Sequence, residues 1–157
     1  CFRTRNPKGN FNLFAKMDLR IYGHKGWEKW YPYFPDLKEK IVLLKDQLPF
    51  ETVNLILNCS KIYPIENNPG IINGIHIRCF DAIGSGILPL PEYQKDYDLV
   101  FNQVKMPTID TFDNGEGIAK YYLKHENERL KKINELREYV NEYYTPEIAI
   151  KKIINKV

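Results

Sequence analysis

Cysteine, methionine, histidine and arginine are all scarce in this chain of 157 residues, and each scarcity excludes something. The three cysteines, Cys1, Cys59 and Cys79, form no Cys-x-x-Cys pair, and an odd, sparse set does not build a disulfide framework. The three histidines stand far apart, so the spacing of a zinc site is missing. Cys59 and Cys79 lie among apolar neighbours and are expected to be buried structural thiols in a reducing, cytoplasmic setting. No apolar run approaches the roughly 18 residues of a membrane span, and no signal-peptide pattern opens the sequence. The net charge is only +3 and the lysines are scattered, leaving no basic stripe of the kind that nucleic acid requires. Internal repeats and low-complexity tracts are also missing.

What is present is the material of a core. Hydrophobic residues make up 43% of the chain and aromatic residues 13%, which excludes a disordered polymer. The length suits one ordinary domain, residues 1–157. The first residue is Cys1 rather than Met, as expected of a fragment of a larger protein.

Short apolar runs alternate with helical patterns. Asp18–Gly23 and Lys40–Lys45 read as strands. Pro49 then opens a helix with Val53, Ile56 and Leu57 on one face. Further strands are expected at Ser60–Pro64, Ile87–Leu90 and Thr108–Phe112. The last third is helical. Asp113 and Glu116 have the spacing of a capping box, and Leu130, Ile133, Leu136, Val140 and Tyr143 form one stripe of a long charged helix. Thr145-Pro146 starts a final helix with Ile150, Ile153, Ile154 and Val157 on one face. Strands separated by helices predict an α/β fold, a parallel sheet with helices on both faces.

In such sheets ligands bind where loops leave the carboxyl ends of the strands. After Tyr22 the chain runs through Gly23 and then Trp27, Trp30, Tyr31, Tyr33 and Phe34. This cluster could stack on a base or sugar, or cover the sheet edge as an apolar flap. Residues 64–74 are dense in glycine and asparagine and lead into a helix with Ile77, Phe80 and Ile83 on one face, closed by Gly84-Ser85-Gly86. A glycine loop entering a helix N-terminus suits an anion, because unpaired backbone N–H groups and the positive end of the helix dipole converge there. Arg78 offers a planar charged fork for phosphate and Asp81 an acceptor for a ribose diol. The same residues also fit a plain loop–helix connection with surface charges, and both readings stand at this point. His76 is the local candidate for catalytic proton chemistry, or simply a hydrogen-bonding loop residue. Asp96-Tyr-Asp98 has the spacing of a metal-binding acid pair but sits in a charged helical stretch, so no metal or other cofactor is expected.

The run Asn73-Gly-Ile-His-Ile-Arg-Cys-Phe-Asp-Ala-Ile-Gly-Ser-Gly-Ile-Leu-Pro89 resembles the donor-binding motif of group 1 glycosyltransferases of the GT-B type. It is most similar to their CgeB-like, spore-maturation-protein branch. Leu19–Gly23 followed by Trp27, Asn58–Ile62, and Thr108–His125 with Ala119-Lys-Tyr-Tyr-Leu-Lys-His125 resemble that branch too, in the same order. The resemblance implies a Rossmann-like nucleotide-sugar (donor) binding domain, expected to be the C-terminal half of a two-domain enzyme whose acceptor-binding N-terminal domain is missing here. A UDP-sugar is the expected donor, and this half alone is expected to be inactive. Asn73, Gly74, Arg78, Asp81 and Gly23 are the implied donor-binding residues. Asn73 and Asp81 occupy the two positions of a Glu-x7-Glu motif, the second of which holds the donor ribose. Asp81 keeps the carboxylate, one methylene shorter, whereas Asn73 is not an acid. Two competing readings are a non-catalytic nucleotide- or sugar-binding domain and a receiver-like or protein-interaction α/β module; the latter lacks acids at the end of its first strand.

Overall fold

The computed structural model describes residues 13–67, 73–110 and 114–155. Strand β1 (Ile21–His24) pairs in parallel with β2 (Ile41–Leu44), Ile21 opposite Ile41. Two short 3₁₀ helices, Lys25–Trp30 and Pro35–Lys40, connect them. Helix α1 (Phe50–Asn58) leads to β3 (Ile62–Ile65), which pairs in parallel with β4 (Leu88–Pro91) through α2 (Arg78–Gly84). Then follow α3 (Lys95–Val100), α4 (Gly115–Lys124), α5 (Glu126–Tyr143) and α6 (Pro146–Ile154). The expected parallel α/β fold with a helical last third is present. None of these helices is long and apolar enough to cross a membrane.

The strands form two parallel pairs rather than one continuous sheet, and prolines account for part of this. Leu88 donates its N–H to the Lys61 carbonyl and Glu92 donates to that of Ile65. The even-numbered groups of β4 therefore face β3, and Pro89 and Pro91 have their missing N–H groups on the opposite side. That side can accept but cannot donate until Tyr93. Of the expected fifth strand, Thr111 and Phe112 lie outside the described residues; within 108–110 there is a bridge at Ile109, which donates to the Pro91 carbonyl at 2.8 Å and accepts from the Tyr93 N–H at 3.0 Å. By the same alternation Pro64 removes a donor from the outer side of β3.

All four residues of β4 are buried, and apolar clusters lie against the β3–β4 pair. One joins Ile65 and Leu88 to Cys79 and Ile83 of α2, Tyr97 of α3, and Ile133, Leu136 and Tyr139 of α5. Another joins Ile62 and Leu90 to Phe14, Ile109 and, on α4, Ile118 and Ala119. A third cluster of Ala15, Ile21, Trp27, Phe34 and Leu37 lies beside β1. Much of the aromatic run after Tyr22 therefore covers the sheet edge: Trp27 and Phe34 are core, while Tyr33 stays exposed. Gly23 has a packing reason of its own, since a Cβ there would collide with the Trp27 indole.

Several sequence expectations are corrected. The α2 core face is Cys79, Ala82 and Ile83, and Ile77 precedes the helix and is exposed. On α5 the buried positions are Arg129, Ile133, Leu136 and Tyr139, with Leu130 outside at 47% exposure. Arg129 can lie inward because its guanidinium donates to Glu126 at 2.7 Å and to the Tyr122 carbonyl at 3.4 Å, while its stem packs among apolar groups. Cys59, at the end of α1, is exposed rather than buried. Asp113 lies outside the described residues. Glu116 points along its own helix to Lys120 at 2.6 Å, and the Asn114 side chain makes no capping bond. Thr145 does cap α6, accepting from the Ile148 N–H at 3.4 Å.

The rotation of α5 is testable. Leu136→Ala is expected to lower the unfolding free energy by about 2–5 kcal/mol. Leu130→Ala is expected to cost less than about 1 kcal/mol, read by urea denaturation. The reverse order would contradict the inward placement of Arg129.

Candidate functional site

The carboxyl ends of β3 and β4 bring together the segment entering α2 and the segment entering α3. Gly74 has φ = +101°, and a Cβ there would meet no atom within 4 Å. Its glycine is thus required by conformation, not space: another residue would strain the backbone by about 1–3 kcal/mol. The Gly74 N–H donates to Asp96 Oδ2 at 2.5 Å.

His76 lies just before Ile77, the N-cap residue of α2. Its Nδ1 accepts from the Arg78 N–H at 3.2 Å, and its carbonyl accepts from Cys79 N–H at 2.9 Å. Phe80 and Asp81 donate to the Ile77 carbonyl. These N–H groups at the α2 N-terminus, expected from the sequence to be unpaired, are therefore already bonded within the chain. Burial, and secondarily the positive charge of Arg78, lower the His76 pKa, with Asp81 acting in the opposite direction. A neutral ring is also what the hydrogen bond requires, because Nδ1 must carry a lone pair.

Asn73, Gly74, Arg78 and Asp81 are exposed. Arg78 and Asp81 are near enough to each other to act on the same neighbours, His76 and Tyr63. Tyr63 on β3, which sequence reasoning did not single out, is half-buried, and burial raises its pKa. Behind them Cys79 Sγ and the Tyr97 hydroxyl lie 3.2 Å apart in the core. Burial pushes the Cys79 thiol up to about 11, so it is not a nucleophile near neutrality. At its other end α2 is held by Arg137 of α5, which donates to the carbonyls of Ile83 at 3.4 Å and Gly84 at 3.2 Å. Gly86, at φ = +75°, makes room for that guanidinium: a Cβ would approach Arg137 Nη2 to 2.9 Å. Gly23 lies on β1, in a different strand pair and a different apolar cluster from this group. Asp96 and Asp98 are each engaged by the protein, Asp98 by the Tyr93 hydroxyl at 2.7 Å. Among the described residues no three His, Cys, Asp or Glu side chains converge as a metal site.

A family model described as glycosyl transferase-like matches residues 7–155, nearly the whole sequence. The chain belongs to the glycosyl transferase-like family. Comparisons with curated proteins and with solved structures return no significant match. Membership of the family bears out the glycosyltransferase resemblance read from the residue 73–89 motif and its neighbours. The match spans β1 to α6, so the two strand pairs and the helical last third all belong to the family's domain.

Two measurements check the local chemistry. A depressed folded-state pKa means that the unfolded chain takes up the His76 proton first, so stability falls as pH drops below about 6.5. Denaturation at about pH 7 and pH 5 should show this loss in the native chain and a smaller one in His76→Ala. Thiol alkylation followed by peptide mass analysis should label Cys59 in the folded protein and leave Cys79 unmodified until unfolding.

Proposed function

We propose that this chain is the donor-binding lobe of a two-domain GT-B glycosyltransferase, of the CgeB-like kind, holding a UDP-sugar at the carboxyl ends of β3 and β4. What carries this reading is the family match over residues 7–155 together with the exposed pair Arg78 and Asp81 beside the Gly74 turn. Arg78 faces the diphosphate, Asp81 the ribose hydroxyls, and Asn73 and Gly74 border the sugar. Glycosyl transfer passes through an oxocarbenium-like state while negative charge collects on the departing diphosphate. A guanidinium placed beside the diphosphate opposes that charge. His76, neutral and committed through Nδ1 to the Arg78 N–H, positions this arginine rather than moving a proton.

The acceptor and any general base belong to a second lobe. Its existence is supported by the apolar face of α6, where Ile150, Ile153 and Ile154 are 55–66% exposed. Turnover requires both lobes, so this chain alone binds donor but does not transfer sugar. A cytoplasmic setting without a bound metal or nucleic acid completes the reading. The observation favouring a second reading, a non-catalytic nucleotide- or sugar-binding domain, is Asn73 in place of the family's first acid.

Titration of the chain with UDP, followed by calorimetry and amide chemical shifts, is expected to show weak binding that perturbs residues 73–86. Arg78→Ala and Asp81→Ala should each abolish it with unchanged thermal unfolding. Silence of residues 73–86 towards every nucleotide tested would overturn the proposal, and sugar transfer by this chain alone would refute the division between lobes.

A further inference from the structure

The segment from Glu92 to Tyr97 holds both described ends of the connection between β3 and α2. At one end the Asn67 N–H donates to Glu92 Oε2 at 2.8 Å, and the Asn67 side chain donates to the Glu92 carbonyl at 3.0 Å. At the other end the Gly74 N–H donates to Asp96 Oδ2 at 2.5 Å. The segment is itself firmly anchored. Glu92 N–H bonds to the Ile65 carbonyl, Tyr93 N–H bonds to that of Ile109, and Tyr97 is 2% exposed with its hydroxyl against Cys79. Two carboxylates on a rigid base thus fix points two and nine residues beyond Ile65, the last residue of β3.

The Gly74 bond matters most for chemistry. It is a charge-assisted bond to a residue in the left-handed region, and such a backbone position needs its surroundings to hold it. Four residues later comes Arg78, whose own N–H is held by His76. The orientation of residues 74–78 therefore depends on Asp96 at one end and on the first turn of α2 at the other. We propose that Asp96 is a positioning residue of the donor site: by accepting the Gly74 N–H it sets the turn that presents Arg78 to the donor's diphosphate. The inference rests on the donor-binding reading above. Asp96 acts as an acceptor for an N–H and not as a charge on the ligand, so an amide should replace it.

The test uses the full chain and UDP as probe. Asp96→Ala is expected to weaken UDP binding about tenfold, as for loss of one charge-assisted bond. Asp96→Asn should restore binding to within about threefold of the native chain, since its side-chain oxygen still accepts the Gly74 N–H. In the ligand-free proteins the Gly74 amide should exchange with solvent faster in Asp96→Ala and near the native rate in Asp96→Asn. Native affinity in Asp96→Ala would overturn the inference, as would tighter binding by either variant, because the carboxylate would then be an anion competing with the ligand. If the native chain binds no nucleotide, the donor-binding reading fails and the role in presenting Arg78 falls with it. Gly74 exchange still decides, in that case, whether Asp96 holds the turn.

Discussion

Leu88 reaches across to the Lys61 carbonyl and Glu92 to that of Ile65, and these backbone bonds align β3 with β4 over four residues. Nearly everything else is positioned by that alignment. It places Leu88 against α2 and α5, Leu90 against α4 and Phe14, and delivers two chain ends to the same place. Proline explains why the pair stands by itself. Pro64 on one flank and Pro89 and Pro91 on the other have no N–H to offer a further strand, and Ile109 makes only a bridge. A β4 of Leu-Pro-Leu-Pro is thus well suited to being buried on every side and poorly suited to extending a sheet.

The candidate site inherits its order from that pair but its detailed shape from side chains. His76 bonds the Arg78 amide, Asp96 the Gly74 amide and Glu92 the Asn67 amide, so polar groups that an isolated turn would leave to water are bonded within the protein. The exposed Arg78 and Asp81 then stand on α2, just after a turn that is held at Gly74 and at Arg78. In a molecule with a net charge of only +3, attraction for a phosphate cannot come from a general field and has to be local. A single arginine beside a braced turn is a local arrangement of that kind.

Much of this was legible in the residues. Alternation and apolar runs located four strands, although the all-apolar β2 has no fully buried residue, and Thr145 and Gly86 announced helix ends through requirements of the backbone. On α5 periodicity placed Ile133, Leu136, Val140 and Tyr143 in or against the core and failed only at Leu130. The α5 stripe through Leu130 and the one through Arg129 differ by one residue, and only the Glu126 and Tyr122 partners let arginine take the inner position. Cys59 looked buried because its neighbours are apolar, yet α1 has no fully buried residue at all. Trp27 illustrates a different limit: an aromatic after a strand is equally consistent with a ligand platform and with a lid, and the contacts with Ile21 and Leu37 make it a lid.

By itself the sequence determined the class of fold, through the periodicity of its apolar runs, and the family, through the match over residues 7–155. Tertiary structure alone decided which groups meet across sequence. Nothing in the local pattern links Gly74 to Asp96, Asn67 to Glu92, or Gly84 to Arg137, since these partners are 22, 25 and 53 residues apart and meet only in the folded chain. The expected anion cradle of unpaired N–H groups was a local inference of this kind. His76, from two residues away, and Asp96, from across the fold, accept from those groups, and the side chains of Arg78 and Asp81 on α2 remain exposed beside them.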